Sequence, residues 1–267
     1  MLIGIPKEVK NLEFRVGASP EMVKALVAAG HQVIVQTHAG DKIGFTDESY
    51  QQVGAIIVST AEDVYDSEMI IKVKEPQESE YHYLKEGQVL FCYLHLAPDP
   101  KLTHALLEKK VVGIAYETVT DSRGALPLLI PMSEIAGRFA VQAGALSLQI
   151  ASGGKGLLMG GIPGVPPANV VILGGGASGT QAARVAVGLG ADVTLLDINL
   201  QRLKELDEMF GTTVKTVYST SLAIEENVPR ADLLIGAVLI PGKRAPCLVS
   251  RKLVQKMIFG LCYRLVI

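Results

Sequence analysis

The sequence predicts an α/β protein with two domains, each built around a parallel sheet. Short apolar runs alternate with helix signals through the first hundred residues, and a long helical pattern follows at 131–150. A strand, a glycine-rich turn and an alanine-rich helix come next, at 169–190. Strands that alternate with helices are typical of parallel sheets. We therefore predict an N-terminal domain over 1–130 and a second domain over 131–267.

The first domain begins with a β-α-β unit. The run LIGI predicts a strand, Ser19 and Pro20 are typical first residues of a helix, and Gly30 suits the position just past its end. The run VIVQ predicts the second strand. The other predicted elements of this domain are strands over Ala55–Val58, Met69–Val73, Val89–Leu94 and Val112–Tyr116 and a helix over Leu102–Lys109.

A long helix and a turn-rich segment join the two predicted sheets. The helix covers 131–150, where apolar residues recur at helical spacing. Nine of the seventeen residues in 151–167 are Gly or Pro, so regular structure is not expected there.

The composition predicts a folded chain with a small-molecule site. Of 267 residues, 49% are hydrophobic and 19% charged, with a formal net charge of −2, which excludes a disordered chain. No apolar run approaches the ~18 residues of a membrane span, and the N-terminus does not resemble a signal peptide, so we expect a cytoplasmic protein. The balanced charge argues against a nucleic-acid surface. Because Cys92, Cys247 and Cys262 lie far apart without C-x-x-C spacing, neither disulfides nor a metal site are predicted.

The second domain carries a G-x-G-x-x-G pattern in a strand–turn–helix context. The strand Asn169–Leu173 leads into the pattern, and the helix after it ends at Gly190. Gly174 permits the tight turn, Gly176 lets the backbone approach a pyrophosphate, and Gly179 lets helix and strand pack closely. The N–H groups at the helix start bind the anion. The pattern predicts a Rossmann-like nucleotide-binding fold.

An acidic residue ends the next predicted strand. Asp197 follows Asp192–Leu196 and lies 18 residues beyond Gly179. A carboxylate there accepts hydrogen bonds from the ribose hydroxyls and repels a 2′-phosphate, so NAD is favoured over NADP. Strands predicted over Val214–Tyr218 and Leu233–Val238 continue the sheet.

The chain resembles the alanine dehydrogenase family from Met1 to about Met257. The resemblance is carried by IGIPKEVKNLEFRV, IIKVKEP, LFCYLHLA, IAYETV, LPLLIPMSEIAGR, GLLMGGIPGV, LDIN and ADLLIGAVLIPG. It implies NAD-dependent, reversible oxidative deamination of L-alanine to pyruvate and ammonium by a homohexamer of two-domain subunits. The related transhydrogenase α chain shares this architecture and remains an alternative.

The resemblance also implies three residues that act on the substrate. Arg15 would bind the substrate carboxylate, which suits a planar guanidinium. Lys74 would contact the same carboxylate or the carbonyl oxygen. His95 would be the general acid/base that takes the proton from the carbinolamine hydroxyl. Glu117 is a further candidate for ordering the site, and a structural salt bridge is the alternative for it.

Each of these residues also has a simpler interpretation. Arg15 alone resembles a solvated loop arginine. Lys72 and Lys74 fall on one face of a strand, which is also typical of a hydrated sheet edge with two lysines. His95 follows an apolar strand, where a single histidine is often structural.

For the cofactor, the resemblance implies residues from the long helix, the glycine turn and the ends of later strands. Arg202 stands where the family carries Lys or Arg near the adenosine, although a solvated helix residue is the alternative. The implied set, together with the three glycines, is Ser133, Ala177, Ser178, Asp197, Arg202, Ser219, Val238 and Leu239.

The resemblance stops after Met257, where the chain reads IFGLCYRLVI. This change indicates a frameshift or premature end. It implies that the family's catalytic aspartate and the fifth strand of the nucleotide domain are missing, so that this domain is incomplete at its C-terminal end. A catalytically inactive NAD-binding fragment is therefore a second hypothesis. The apolar segment 258–267 forms either a strand along the exposed sheet edge or a site of aggregation.

Overall fold

The computed structural model describes residues 1–240, 245–257 and 261–264 in two compact units, Met1–Leu128 and Leu129–Ile267. Each unit holds one parallel sheet with helices between its strands. The prediction of an α/β protein with two parallel sheets is therefore confirmed.

The first unit has a six-stranded sheet in the order β3-β2-β1-β4-β5-β6, and all its strands are parallel. The strand order reverses between β1 and β4, which makes the carboxyl ends of these two strands the place where ligands bind in such folds. The strands are β1 (Leu2–Ile5), β2 (Gln32–Gln36), β3 (Ile56–Val58), β4 (Met69–Ile71), β5 (Val89–Cys92) and β6 (Val112–Ala115), and the helices are α1 (Pro20–Ala28), α2 (Asp47–Gln51), α3 (Ala61–Tyr65) and α4 (Pro100–Glu108).

Both faces of this sheet are buried. Successive residues of a strand point to opposite faces. Ile70 and Ile71 are both fully buried, and they belong to separate core clusters on the two sides of β4. Burial on both faces explains why the strands read as continuous apolar runs.

The first helix forms as its end signals predict. The Ser19 side chain accepts a hydrogen bond from the backbone N–H of Met22, and Pro20 occupies the first helical position. Gly30 follows the helix with a φ of +84°. Local sequence signals therefore set both ends of α1.

The strands β4 and β5 end two residues earlier than predicted. At both ends a carboxylate takes up backbone N–H groups. Glu8 accepts from Val73 and Lys74, and Glu117 accepts from Leu94 and His95. Side-chain acceptors therefore replace part of the strand ladder at this edge.

The second unit has a five-stranded parallel sheet in the order β11-β10-β7-β8-β9. Here the order reverses between β7 and β10. Apolar core clusters again lie on both faces of the sheet. The strands are β7 (Asn169–Leu173), β8 (Asp192–Asp197), β9 (Val214–Tyr218), β10 (Leu233–Gly236) and β11 (Leu261–Arg264), and the helices are α5 (Ile130–Ser147), α6 (Ala177–Gly188), α7 (Leu200–Phe210), α8 (Ser221–Asn227) and α9 (Arg251–Val254).

The second sheet contains a fifth strand that the tail supplies, which confirms the first of the two alternatives for segment 258–267. β11 pairs in parallel with β10, with Leu233 opposite Leu261 and Gly236 opposite Arg264. Without β11, the outer edge of β10 would present a row of unpaired backbone groups. An apolar segment of high strand propensity can form hydrogen bonds with these groups. The tail therefore forms an edge strand over these four residues. Residues 258–260 and 265–267 of the predicted tail lie outside the described residues.

Among the described residues, no helix combines the length and the apolar character that a bilayer crossing requires.

Candidate active site

The first candidate half-site lies at the carboxyl ends of β1 and β4. The chain segment after β1 carries Arg15, and the segment after β4 carries Lys74. Gly17 lets the two segments approach closely, because a Cβ at this position would lie 2.3 Å from the carbonyl oxygen of Ile71. An ion pair between Lys10 and Glu75 also joins the two segments. Packing at the reversal point of the sheet thus brings together residues that are distant in sequence.

Arg15 is held by Glu13. One carboxylate oxygen of Glu13 accepts from the backbone N–H and from Nε of Arg15 at 2.9 and 2.8 Å, and the other lies 2.6 Å from Nη2. The hydrogen bonds from Arg15 lower the pKa of Glu13 and raise the pKa of Arg15. The guanidinium is therefore oriented by an ion pair and is not a freely solvated loop residue.

Lys74 lies in the same electrostatic neighbourhood. Its charge contributes, after the hydrogen bonds from Arg15, to the lowered pKa of Glu13. Lys74 is half-buried. Its backbone N–H donates a hydrogen bond to the carboxylate of Glu8 at 3.2 Å. Arg15 contacts the Glu13 carboxylate and Lys74 acts on it through its charge, so two cations lie in one region that can receive a carboxylate from a ligand.

His95 follows the neighbouring strand β5 and has an unusual backbone conformation. Its φ is +47°, in the left-handed region that non-glycine residues seldom adopt. Glu117 holds this conformation, because its carboxylate accepts from the N–H of His95 at 2.6 Å and from the N–H of Leu94 at 3.3 Å. The imidazole is exposed. The prediction that Glu117 orders this region agrees with these contacts.

The charges of Arg15 and Glu117 both act on Tyr93. Burial raises the pKa of Tyr93, the positive charge of Arg15 lowers it, and the negative charge of Glu117 raises it. The hydroxyl donates a hydrogen bond to the carbonyl oxygen of Leu128, and the ring packs edge-on against Tyr116 at 4.9 Å between centroids. Tyr93 thus lies within electrostatic range of Arg15 and Glu117.

Lys72 does not form a hydrated edge with Lys74, and that interpretation is wrong. β4 lies between β1 and β5 in the sheet, and the Lys72 side chain is 0% exposed. Its Nζ lies 2.6 Å from Oε1 of Glu80 and 3.3 Å from Oε2 of Glu8. A buried lysine requires such partners, since an unpaired charge in the core is very costly.

The second candidate half-site is the glycine turn between β7 and α6. Gly174 has a φ of +101°, which favours glycine, and a Cβ at Gly179 would lie 1.8 Å from the carbonyl oxygen of Gly174. Gly176 differs from both, because it is exposed and a Cβ there would meet no atom within 4 Å. The turn therefore leaves open space at Gly176, in front of the first N–H groups of α6.

Asp197 and Arg202 brace this turn. The carboxylate of Asp197 accepts from the backbone N–H of Gly175 at 2.6 Å. Arg202 donates from Nε to the carbonyl oxygen of Gly175 at 2.7 Å and from Nη2 to the hydroxyl of Thr180 at 2.8 Å. Arg202 is thus bound to the turn, and the interpretation as a solvated helix residue is wrong.

The remaining predicted cofactor residues lie on the helices, strands and loops next to this turn. Ser178 donates from its hydroxyl to the carbonyl oxygen of Ser133 at 2.9 Å, which joins α6 to α5. The backbone N–H of Ser219 donates to the carbonyl oxygen of Asp197 at 2.9 Å. Val238, just past β10, lies 3.0 Å from where a Cβ at Gly174 would be. Ala177 begins α6 and the exposed Leu239 follows Val238.

These features fit a dinucleotide. The open position at Gly176 admits a pyrophosphate to the helix start, where N–H groups have no partner within the helix. A carboxylate can accept about four hydrogen bonds. Asp197 uses two acceptor positions, for the N–H groups of Gly175 and Asn199, so that others remain for ribose hydroxyls.

Both units of the chain match models of one protein family. Residues 4–136 match the family model "Alanine dehydrogenase/PNT, N-terminal domain", and residues 140–261 match "Alanine dehydrogenase/PNT, C-terminal domain". The chain belongs to the alanine dehydrogenase/PNT family.

Two relatives from this family cover most of the chain. An alanine dehydrogenase of Methanococcus maripaludis is 57% identical over 258 residues, which are 96% of this chain and 69% of that protein. Alanine dehydrogenase 2 of Staphylococcus aureus is 56% identical over 257 residues, with the same shares of both chains.

Two solved structures of the alanine dehydrogenase/PNT type have the same fold. An L-alanine dehydrogenase aligns with a TM-score of 0.90 at 52% identity, and the alignment covers 99% of this chain and 73% of that chain. A transhydrogenase from Sinorhizobium meliloti aligns with a TM-score of 0.81 at 26% identity, and the alignment covers 98% of this chain and 77% of that chain. The transhydrogenase alternative is therefore less well supported than the dehydrogenase.

Sequence reasoning missed the residues that hold the first half-site. Glu8, Glu13 and Tyr93 were not predicted, although each lies within two residues of a predicted site residue or contacts one. The segment PKEVKNLEFR offered a weak signal, since charged residues are dense there. Which of them faces the core is decided by tertiary packing.

Proposed function

We propose that this protein is an NAD-dependent alanine dehydrogenase. It converts L-alanine, NAD and water to pyruvate, ammonium, NADH and a proton, and it catalyses the reverse reductive amination. The observation that carries the proposal is the grouping of Arg15, Lys74 and His95 at the ends of three neighbouring parallel strands, in a chain that is 57% identical to an alanine dehydrogenase.

Arg15 and Lys74 bind the substrate carboxylate. The guanidinium of Arg15 is already oriented by Glu13, so that little side-chain freedom is lost on binding. Lys74 adds a second positive charge and contacts the carboxylate or the carbonyl oxygen of pyruvate. Two cations at fixed positions orient the substrate for reaction at Cα.

His95 moves the proton at the hydroxyl of the carbinolamine. As the imine is hydrolysed, the imidazole takes the proton from this hydroxyl, and it returns a proton in the reverse direction. Glu117 fixes the backbone of His95, so the position of the ring is set by the fold.

The second unit holds the cofactor. Gly174, Gly176, Ala177, Ser178 and Gly179 surround the pyrophosphate, and Asp197 binds the adenosine ribose. NAD, when bound, supplies the group that accepts hydride from Cα of the substrate. Arg202 is committed to Gly175 and Thr180, so it supports the turn, and the negative charge of Asp197 disfavours a 2′-phosphate.

Ser133, Ser219, Val238 and Leu239 are proposed to line the cofactor. The support for Ser133, Ser219 and Val238 is the family resemblance together with their contacts to Ser178, to Asp197 and near Gly174. The support for Leu239 is the family resemblance.

We also propose that the protein is a cytoplasmic homohexamer. The support for the assembly is the family resemblance. A cytoplasmic location agrees with the free thiols of the buried Cys92 and the exposed Cys247. Sedimentation velocity would test the assembly, with a hexameric mass expected and a monomer contradicting it.

The proposed activity is tested by the initial rate of NADH formation. The purified 28.4 kDa chain is assayed with NAD and saturating L-alanine, beside a longer family member as the reference. We expect NADH formation that depends on L-alanine and yields pyruvate. Parallel assays with glycine and L-serine measure the selectivity among small amino acids.

A negative result has a definite meaning. If a folded chain binds NAD but forms no NADH from L-alanine, the proposed activity is wrong for this chain and the inactive NAD-binding alternative holds. If the chain binds no NAD, the assignment of the glycine turn is wrong as well.

A further inference from the structure

Glu8 is a buried carboxylate beside the proposed substrate lysine. Its side chain is 2% exposed, and it lies in the segment after β1, close to the end of β4. The proposed reaction does not use it. Buried carboxylates are rare unless paired, so its position requires an explanation.

The first group that Glu8 contacts is the backbone that carries Lys74. Oε1 accepts from the N–H of Val73 at 2.7 Å and from the N–H of Lys74 at 3.2 Å. One oxygen therefore fixes two successive peptide groups just after β4 ends. The direction in which Lys74 leaves the sheet is set at this point.

The second group is Lys72, which keeps Glu8 in the core. Lys72 Nζ lies 3.3 Å from Oε2 of Glu8 and 2.6 Å from Oε1 of Glu80, which also accepts from the hydroxyl of Tyr65 at 3.0 Å. Burial raises the pKa of Glu8, and the charge of Lys72 and the two backbone N–H groups oppose this shift. Lys72 thus pairs with both buried carboxylates and keeps their charges compensated in the core.

We propose that Glu8 is a positioning residue for Lys74. Its carboxylate fixes the backbone of Val73 and Lys74, so that the lysine ammonium group meets the carboxylate or the carbonyl oxygen of the substrate. The role rests on the proposed function, because it requires that Lys74 contacts the substrate.

The role predicts a coupling between two residues. Removal of the Glu8 carboxylate frees two peptide groups, and Lys74 then samples more directions. We expect Glu8→Ala to weaken pyruvate binding about tenfold, which is the usual scale for one charged contact. In a chain that already lacks the Lys74 ammonium group, Glu8→Ala should have little further effect on pyruvate binding.

A double-mutant cycle measures this coupling. Pyruvate is titrated by calorimetry into the whole chain in the presence of saturating NAD, a pair that cannot react. The four proteins are the unmodified chain, Glu8→Ala, Lys74→Ala and the double variant. We expect the effect of Glu8→Ala to fall from about tenfold to less than about twofold once Lys74 is replaced.

Two further variants separate positioning from general damage to the core. Glu80→Gln disturbs the same buried network but leaves the contacts of Glu8 to the backbone, so pyruvate affinity should stay within about twofold. Glu8→Gln keeps an oxygen acceptor for the two N–H groups, and we expect it to restore most of the affinity lost in Glu8→Ala. Thermal unfolding of each variant confirms that the chain is folded.

The outcomes are distinct. Equal effects of Glu8→Ala with and without Lys74 would overturn the role, and so would an equal loss of affinity in Glu80→Gln. If Glu8→Ala is unfolded, the Glu8→Gln variant decides, since an affinity loss as large as that of Lys74→Ala contradicts the role. If the unmodified chain binds no pyruvate, the proposed function itself fails.

Discussion

When the strands are counted within each unit, both sheets have the order 3-2-1-4-5, and the first sheet adds a sixth strand. The two units differ in the loop that follows their first strand. In the second unit three residues, Gly174–Gly176, connect β7 to α6. In the first unit the longer segment Pro6–Ser19 connects β1 to α1 and carries charged side chains. Both loops lie at the point where the strand order reverses. The same topology thus offers backbone N–H groups in one unit and charged side chains in the other.

The comparison shows what each kind of site requires. A backbone site needs conformational freedom and open space, which Gly174 and Gly176 provide. A side-chain site needs groups that hold flexible cations in place. In the first unit Glu8, Glu13 and Glu117 supply that support, one for each proposed substrate residue.

The largest expected effect concerns the side-chain site. Lys74→Met removes the ammonium group but keeps most of the side-chain volume. We expect kcat for L-alanine oxidation to fall by about 10³-fold or more, on the scale of a lost electrostatic contact in a transition state. NAD affinity, measured by titration, should be unchanged. Full turnover by this variant would contradict the role of Lys74.

The next effect concerns the backbone site. Gly176→Ala places a methyl group where the protein itself has no atom within 4 Å, so stability should change by less than about 1 kcal/mol. We expect NAD affinity to fall about 100-fold, because the methyl group occupies the approach of the pyrophosphate. Gly188→Ala, in the same helix and also without a neighbour, is the matched control. Equal NAD affinities of the two variants would contradict the assignment of the pyrophosphate to the space at Gly176.

A smaller effect is expected for cofactor choice. Asp197→Asn keeps an oxygen for the N–H of Gly175 but removes the negative charge. We expect the ratio of NAD to NADP affinity to fall about tenfold, because repulsion of the 2′-phosphate is lost. Asp192→Asn, at the other end of β8 and paired with Lys215, should leave the ratio unchanged. A ratio that moves equally in both variants would show that strand stability, and not the charge at Asp197, was measured.

The smallest effect is on stability and depends on pH. Hydrogen bonds from Arg15 lower the pKa of Glu13 below the ordinary value of a glutamate side chain. A lowered folded-state pKa contributes stability above the unfolded pKa, and this contribution is lost as the pH falls through the folded value. Glu13→Gln should therefore be less stable than the unmodified chain at neutral pH, by about 1 kcal/mol or less, and equal to it in acid.

Urea unfolding at neutral and acid pH measures this difference. Glu86→Gln, which removes a surface ion pair with Lys110, is the control and should show a smaller difference between the two pH values. A difference for Glu13→Gln that grows in acid would contradict the sign of the effect.

The backbone site could be predicted from sequence because its determinants are local. Gly174, Gly176 and Gly179 stand in one strand–turn–helix segment, and Asp197 ends the next strand. The side-chain site could be predicted only through the family resemblance, and of its supporting carboxylates only Glu117 was predicted. Whether Lys72 is exposed depends on which strands flank β4, and pairing across distant segments sets that order. For a similar reason the sequence left two alternatives open for the tail, since β11 is defined by its pairing with β10.

We propose that the carboxyl ends of the strands bind the substrate in the first unit and the cofactor in the second. A crystal structure of the chain with NAD and pyruvate tests it most directly. We expect the pyrophosphate on the N–H groups of the Gly174–Gly179 turn and the pyruvate carboxylate between Arg15 and Lys74. Pyruvate bound away from both cations, or a pyrophosphate away from the glycine turn, would contradict the claim.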